Sequence, residues 1–206
     1  MTRPHATGRR PWTAQTWTAI RALLVFTVVL GLGYPLVVLG IGQLALPAQA
    51  NGSPVTVDGQ AVGSSLLGQS FADADGTPLP EWFQSRPSSS GYAGEASVAS
   101  NYGPENAELI ADIEAQRAAI AEFEGVDPAD VPVDAVTNSG SSLDPHISPA
   151  YARLQVARVA EARGLDESAV RDLVETHIQG RDLGYLGEPT VNVLELNVAL
   201  AALAAD

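Results

Sequence analysis

The run ALLVFTVVLGLGYPLVVLGIGQLAL (residues 22–46) contains no charged residue. Wound as a helix it spans roughly 37 Å, more than the roughly 30 Å hydrocarbon core of a bilayer. It therefore predicts a transmembrane helix over 22–46. Pro35 lies inside the run, with Gly31, Gly33, Gly40 and Gly42 around it. In water these residues would spoil a helix, whereas in a membrane neighbouring helices re-satisfy the freed carbonyls. The small residues also suit close approach of another membrane helix.

The flanks of this run differ sharply in charge. Residues 1–21 hold Arg3, Arg9, Arg10 and Arg21 and no acid, whereas residues 47–206 hold all 24 acids against seven Arg, a formal charge of −17. The positive-inside rule places the basic flank in the cytoplasm and the acidic region outside. Arg9-Arg10 and the small-x-small stretch Ala48-Gln49-Ala50 suggest an exported precursor, but the apolar run is longer than the 7–15 residues of a signal peptide. A retained anchor is the preferred reading, and cleavage would leave the acidic region on the same side. The expected organisation is a basic cytoplasmic tail over 1–21, the transmembrane helix over 22–46 and an acidic extracytoplasmic domain over 47–206. The chain is thus expected in the cell membrane as a single-pass protein.

Composition excludes several classes. The chain has no cysteine, which removes disulfide scaffolds, thiol nucleophiles and thiolate zinc sites. An acidic domain lacks the basic face that nucleic-acid phosphates require.

Patterning in the acidic region predicts a mixed α/β domain. PVTVDGQAVGSSLL (54–67) alternates around Asp58-Gly59 and reads as a hairpin. Residues 72–104, rich in Gly, Ser, Pro and Asn with Trp82, Phe83 and Tyr92 interspersed, read as a long loop with its own aromatic packing or as a surface that something else covers. Leu109, Ile113, Ile120 and Phe123 predict an amphipathic helix over 105–124, ended by Gly125 and Pro128. A short strand is expected at 131–137 and a loop at 138–142. Ser148 and Pro149 open a helix closed by Gly164. Asp166 caps the next helix, with Val170, Leu173, Val174 and Ile178 on one face and Gly180 as its stop. Residues 191–203 are taken as helical. The expected fold is a single N-terminal transmembrane helix followed by a mixed α/β extracytoplasmic domain.

No phosphate-cradling motif occurs. Gly68-Gln69-Ser70-Phe71-Ala72 resembles a nucleophile elbow without its last glycine. Ser141, Ser142, Asp144 and His146 bring triad residue types close in sequence, although such triads assemble from distant segments. His5 and His177 stand apart, and Asp73, Asp75 and Gly76 form only a fragment of a calcium loop. No catalytic, cofactor-binding or metal-binding residue is therefore assigned. Side chains of the 138–150 loop are expected to bond nearby backbone and form a rigid packing or docking element.

Several segments resemble a known family. These are GYPLVVLGIGQLALPAQANGS (33–53), VGSSLLGQSF (62–71), WFQSRPS (82–88), SNYGPEN (100–106), VPVDAVTNSGSSLDPHISPA (131–150), RVAEARG (158–164) and GEPTVNVLELN (187–197). In this order they resemble the C subunit of the Kdp potassium-transporting P-type ATPase, with departures at Val98-Ala99, 72–80 and 121–130. The resemblance implies a non-catalytic accessory and assembly subunit of an ATP-driven potassium importer. The implied partners are a channel-like potassium-binding subunit, a P-type ATPase subunit and a small membrane peptide, besides membrane lipid. ATP and K+ would be handled by those partners, with no cofactor on this chain. The family also carries a proposal of a catalytic chaperone that raises the ATPase subunit's affinity for ATP. The stretch nearest to the loop invoked for that role is Asn138–Ser142, followed by Gln155.

Overall fold

The computed structural model describes residues 12–203. His5 and the arginines Arg3, Arg9 and Arg10 lie outside the described residues. The chain divides after Gly52 into two compact units.

The first unit is helical from Trp12 to Ala45, longer than the apolar run alone, and continuous through Pro35. Helix α1 (Trp12–Phe26) passes into a π-helical stretch, Thr27–Gly33, and then into α2 (Tyr34–Ala45). The widened stretch explains how the proline is accommodated. The Tyr34 N–H donates to the Val29 carbonyl, five residues back, so the ladder has already changed register before Pro35 withholds its own donor. A short α3 (Pro47–Ala50) follows. Asn51 ties it back by donating to the Pro47 carbonyl at 2.7 Å and to Gln43 at 3.1 Å.

The second unit opens with the expected hairpin, β1 (Pro54–Val57) and β2 (Gln60–Ser64), antiparallel with Val57 opposite Gln60. Asp58 and Gly59 both have positive φ, 50° and 77°, the requirement of a two-residue type I′ turn. The long helix is present as α4 (Ala107–Glu124). Asn106 caps it by accepting from the Glu108 and Leu109 N–H groups, and left-handed Gly125 ends it.

A three-stranded antiparallel sheet, ordered β3-β5-β4, organises the rest. It consists of β3 (His146–Ile147), β4 (Ile178–Gln179) and the central β5 (Thr190–Asn192). Helices α5 (Pro149–Leu154), α6 (Val156–Arg163), α7 (Glu167–Thr176) and α8 (Val193–Leu203) complete this part of the fold. Ile147, Tyr151, Val156, Val159, Val170, Val174, Val191, Leu196 and Leu200 form the core, joined from the long loop by Phe83. Capping follows the sequence reading: Ser148 accepts from the Tyr151 N–H and Asp166 from the Ser168 N–H.

Four local expectations change. Residues 131–137 are not a strand. Val133–Val136 forms a 3-10 turn, with Asp134 accepting from the Ser148 N–H and Oγ, and Ala135 and Val136 buried. The helix opened at Ser148 divides at Gln155 into α5 and α6, and Gln155 itself is buried. Helix α7 ends at Thr176, so that Ile178 pairs with Val191 in the sheet instead of extending the helical face to Gly180. Val191 and Asn192 belong to β5, and α8 begins only at Val193. In each case the deciding partner is remote in sequence.

Gly68 shows how closely the loops pack. Its N–H donates to the Leu143 carbonyl at 2.8 Å. A Cβ there would lie 2.6 Å from both the Asp144 carbonyl oxygen and the Tyr92 ring. Gly68 thus marks a loop-to-loop contact.

Candidate functional site

The residues singled out for chemistry gather where three loops meet, contributed by residues 84–92, 97–98 and 137–146. Arg86 is the tie between them. Its guanidinium donates to Asp144 Oδ2 at 3.0 Å and to the Thr137 carbonyl at 3.2–3.3 Å. The other Asp144 oxygen, Oδ1, accepts from the His146 backbone N–H at 3.0 Å and faces His146 Nδ1 at 3.5 Å. Tyr92 donates its hydroxyl to the Arg86 carbonyl. Burial pushes the Tyr92 phenol up to about 12, although Ser85 and Arg86 act in the opposite direction.

Ser142 is fully buried with a positive φ of 60°. Its Oγ donates to the Val98 carbonyl at 2.7 Å and accepts from the Ser89 N–H at 3.1 Å. Ser141 Oγ accepts from the Leu143 N–H. Asp144 and His146 meet, but both serine hydroxyls serve backbone groups, so the geometry assembles no serine–histidine relay. His177 sits at the end of α7, its Nδ1 2.8 Å from the Leu173 carbonyl, while Glu175 binds Arg153. Asp73 accepts from the Asp75 and Thr77 N–H groups, the bonding of a tight turn. Among the described residues no cluster of three or more His, Asp or Glu is arranged to hold a metal.

Burial acts to raise the Asp144 pKa, but the hydrogen bonds from His146 and the charge of Arg86 outweigh it, leaving the carboxyl below its ordinary value. Its stabilising contribution is therefore present above the unfolded-state pKa of about 3.9 and is lost as pH falls through the lower folded value. Asp144→Asn is expected to remove that part of the acid dependence. Urea midpoints of the full chain, compared between pH 6 and pH 3, should then fall less in the variant than in the wild type.

A second network lies deeper and holds the long loop in the core. The Asn197 carboxamide accepts from the Phe83 N–H and donates to the Phe83 carbonyl, both at 2.9 Å. Gln155 does the same for Gln84, accepting from its N–H at 2.6 Å and donating to its carbonyl at 3.2 Å. Two side-chain amides thus replace the strand partner that residues 83–84 lack. Arg158 closes the network, donating to Gln155 Oε1 at 2.8 Å, the Trp82 carbonyl at 3.0 Å and Glu124 Oε2 at 3.0 Å. Arg163 lies 4.1 Å above the Trp82 ring. Gln155, the polar residue nearest to the family's nucleotide proposal, is committed to this framework.

An open groove of about 690 Å³ runs between the hairpin and α8, lined by Val62, Phe71, Trp82, Leu194, Val198 and Ala201 among others. The amides at its edge are already engaged, Gln69 by the Val62 carbonyl at 2.9 Å and Asn197 by Phe83. The groove is a mainly apolar surface, with Thr56 and Asp58 of the hairpin at its edge.

One membrane-length helix joined to a small α/β unit, its loops locked by Arg and carboxamide side chains, defines the class of this protein. The chain matches the family described as "K+-transporting ATPase, c chain" over residues 16–202. It is 55% identical over 192 residues to the potassium-transporting ATPase KdpC subunit of Kineococcus radiotolerans, covering 92% of this chain and 94% of the relative. The KdpC subunits of Sorangium cellulosum and Streptomyces avermitilis are 52% and 46% identical, covering 88% and 92% of this chain and 94% of each relative. The chain belongs to the KdpC family.

Proposed function

We propose that this chain is the accessory subunit of an ATP-driven potassium importer, anchored by its N-terminal helix, with the Ser53–Leu203 unit outside the cytoplasm at the entrance of a channel-like subunit. The observation that carries the reading is the family match, which spans the apolar helix and the α/β unit together. The one-sided arginine distribution supports the orientation. The role is architectural: the loops that hold the candidate polar residues bond to each other, Arg86 through the Thr137 carbonyl and the Asp144 carboxylate and Ser142 through the Val98 carbonyl. The partners are the channel-like subunit, the P-type ATPase subunit and the small membrane peptide, which handle K+ and ATP. Any effect of this chain on ATP affinity is then transmitted through the assembly, because Gln155 is buried in the framework and the orientation sets the domain opposite cytoplasmic ATP.

A tagged chain expressed together with the other proposed subunits in potassium-starved cells tests this. Protease added to spheroplasts should digest the α/β unit and spare an N-terminal tag, and the tag should co-purify an intact potassium-stimulated ATPase. Digestion of the tag alone would overturn the orientation. Purification of the chain without the other subunits would overturn the assembly role.

A further inference from the structure

The first unit holds a cleavage sequence in a helical conformation. Ala48 and Ala50 stand third and first before the Ala50–Asn51 bond, the small-x-small pattern at which exported precursors are cut, just beyond the apolar run. A peptidase cleft takes its substrate as an extended strand, through the substrate's own main-chain groups. Here those groups are already bonded. Pro47–Ala50 is the helix α3, the Ala50 N–H donates to the Leu46 carbonyl at 2.9 Å, and the Asn51 and Gly52 N–H groups donate to the Ala48 and Gln49 carbonyls at 3.2 Å. Residues 47–52 are all exposed, so local structure, and not burial, protects the bond. A helix of four residues is too short to hold by propensity. The hold comes from Asn51, whose carboxamide donates to the Pro47 carbonyl at 2.7 Å and exchanges bonds of 3.1 and 3.3 Å with the Gln43 carboxamide of α2.

We propose that Ala50–Asn51 is a latent processing site for the membrane peptidase that removes signal segments, kept closed by the Gln43–Asn51 clamp on α3. This rests on the orientation proposed above, which sets the bond outside the cytoplasm. Hydrolysis there adds water across the peptide bond, leaving the Ala50 carboxylate on the anchor and a free Asn51 amine on the released unit. A cut requires α3 to open first, so its rate follows the open fraction when opening is fast. The clamp therefore decides whether the chain stays a membrane subunit or is shed as a free acidic domain. The length of the apolar run is the competing explanation for a retained anchor, and suitable variants separate the two.

The test expresses the full chain, tagged at both ends, without other subunits, so that nothing else shields α3. Gln43→Leu combined with Asn51→Ala removes the clamp and makes the run more apolar, so a gain in cutting cannot come from a weakened anchor. Adding Gln49→Gly unwinds α3 further. The released C-terminal fragment should rise at least tenfold over the wild type in the first variant and further in the second, with position 51 as its first residue. Ala50→Phe on the same background should abolish it. No fragment from either variant, a fragment that begins elsewhere, or a wild type cut as fully as the variants would overturn the latent site. Protease added to spheroplasts reads the orientation separately. An uncut variant with a protected N-terminal tag overturns the latent site alone, whereas a digested tag overturns the orientation and the site with it.

Discussion

Replacing Arg158 by Met is expected to destabilise the α/β unit by about 3–5 kcal/mol, because it leaves a buried carboxylate without its partner. The Glu124 side chain is 1% exposed and the Arg158 side chain 8%. Arg158 also sits 4.5 Å over the Phe123 ring and supports the Trp82 carbonyl and Gln155. Unfolding of the full chain in detergent, followed by Trp82 fluorescence with Trp12 and Trp17 changed to Phe, measures the loss. Adding Glu124→Gln to Arg158→Met should recover part of it, since the second change removes the stranded charge. A purely additive pair would show that the ion pair contributes nothing. The pH dependence has a definite sign. Burial raises the Glu124 pKa while Arg158 opposes the rise. Without Arg158 the folded-state pKa moves further above the unfolded value, the folded state binds its proton more tightly, and the deficit of the variant shrinks as pH falls.

The second large effect lies at Asn197. Asn197→Leu retains the volume but removes both hydrogen bonds to Phe83, leaving a buried N–H and a buried carbonyl unpaired. The expected loss is about 2–6 kcal/mol, at about 1–3 kcal/mol for each orphaned group. Amide exchange should report it locally: the Phe83 N–H, buried and bonded only to Asn197 Oδ1, should lose most of its protection while the Val191 strand keeps its own relative order. A variant as stable as the wild type, with Phe83 still protected, would mean that the backbone has found another partner.

These two sites also show where sequence reading stopped. Asn197 and Arg158 both stood in segments that carried the family resemblance, yet local pattern gives no reason to choose them. One signal was present: the acidic region has only seven Arg, and Arg86, Arg158 and Arg163 all donate to backbone carbonyls of the long loop or the 137–138 turn. In so acidic a chain, arginines that neither form a patch nor cluster in a terminus are candidates for such internal braces.

The sequence by itself determined what depends on near neighbours: the apolar helix, the basic-to-acidic change of sign, the Asp58-Gly59 hairpin, and the capped starts at Ser148 and Asp166. Each rests on interactions within a few residues, so composition and spacing suffice. Tertiary structure decided whatever needed a remote partner. The central strand at 190–192 forms because Ile147 and Ile178 lie on either side of Val191, and α7 ends early to supply one of them. Residues 131–137 become a 3-10 turn because Asp134 is drawn to Ser148. The loop at 83–84 enters the core because carboxamides 71 and 114 residues distant satisfy its backbone. A buried peptide group must find a partner, and nothing local in this chain identifies which one.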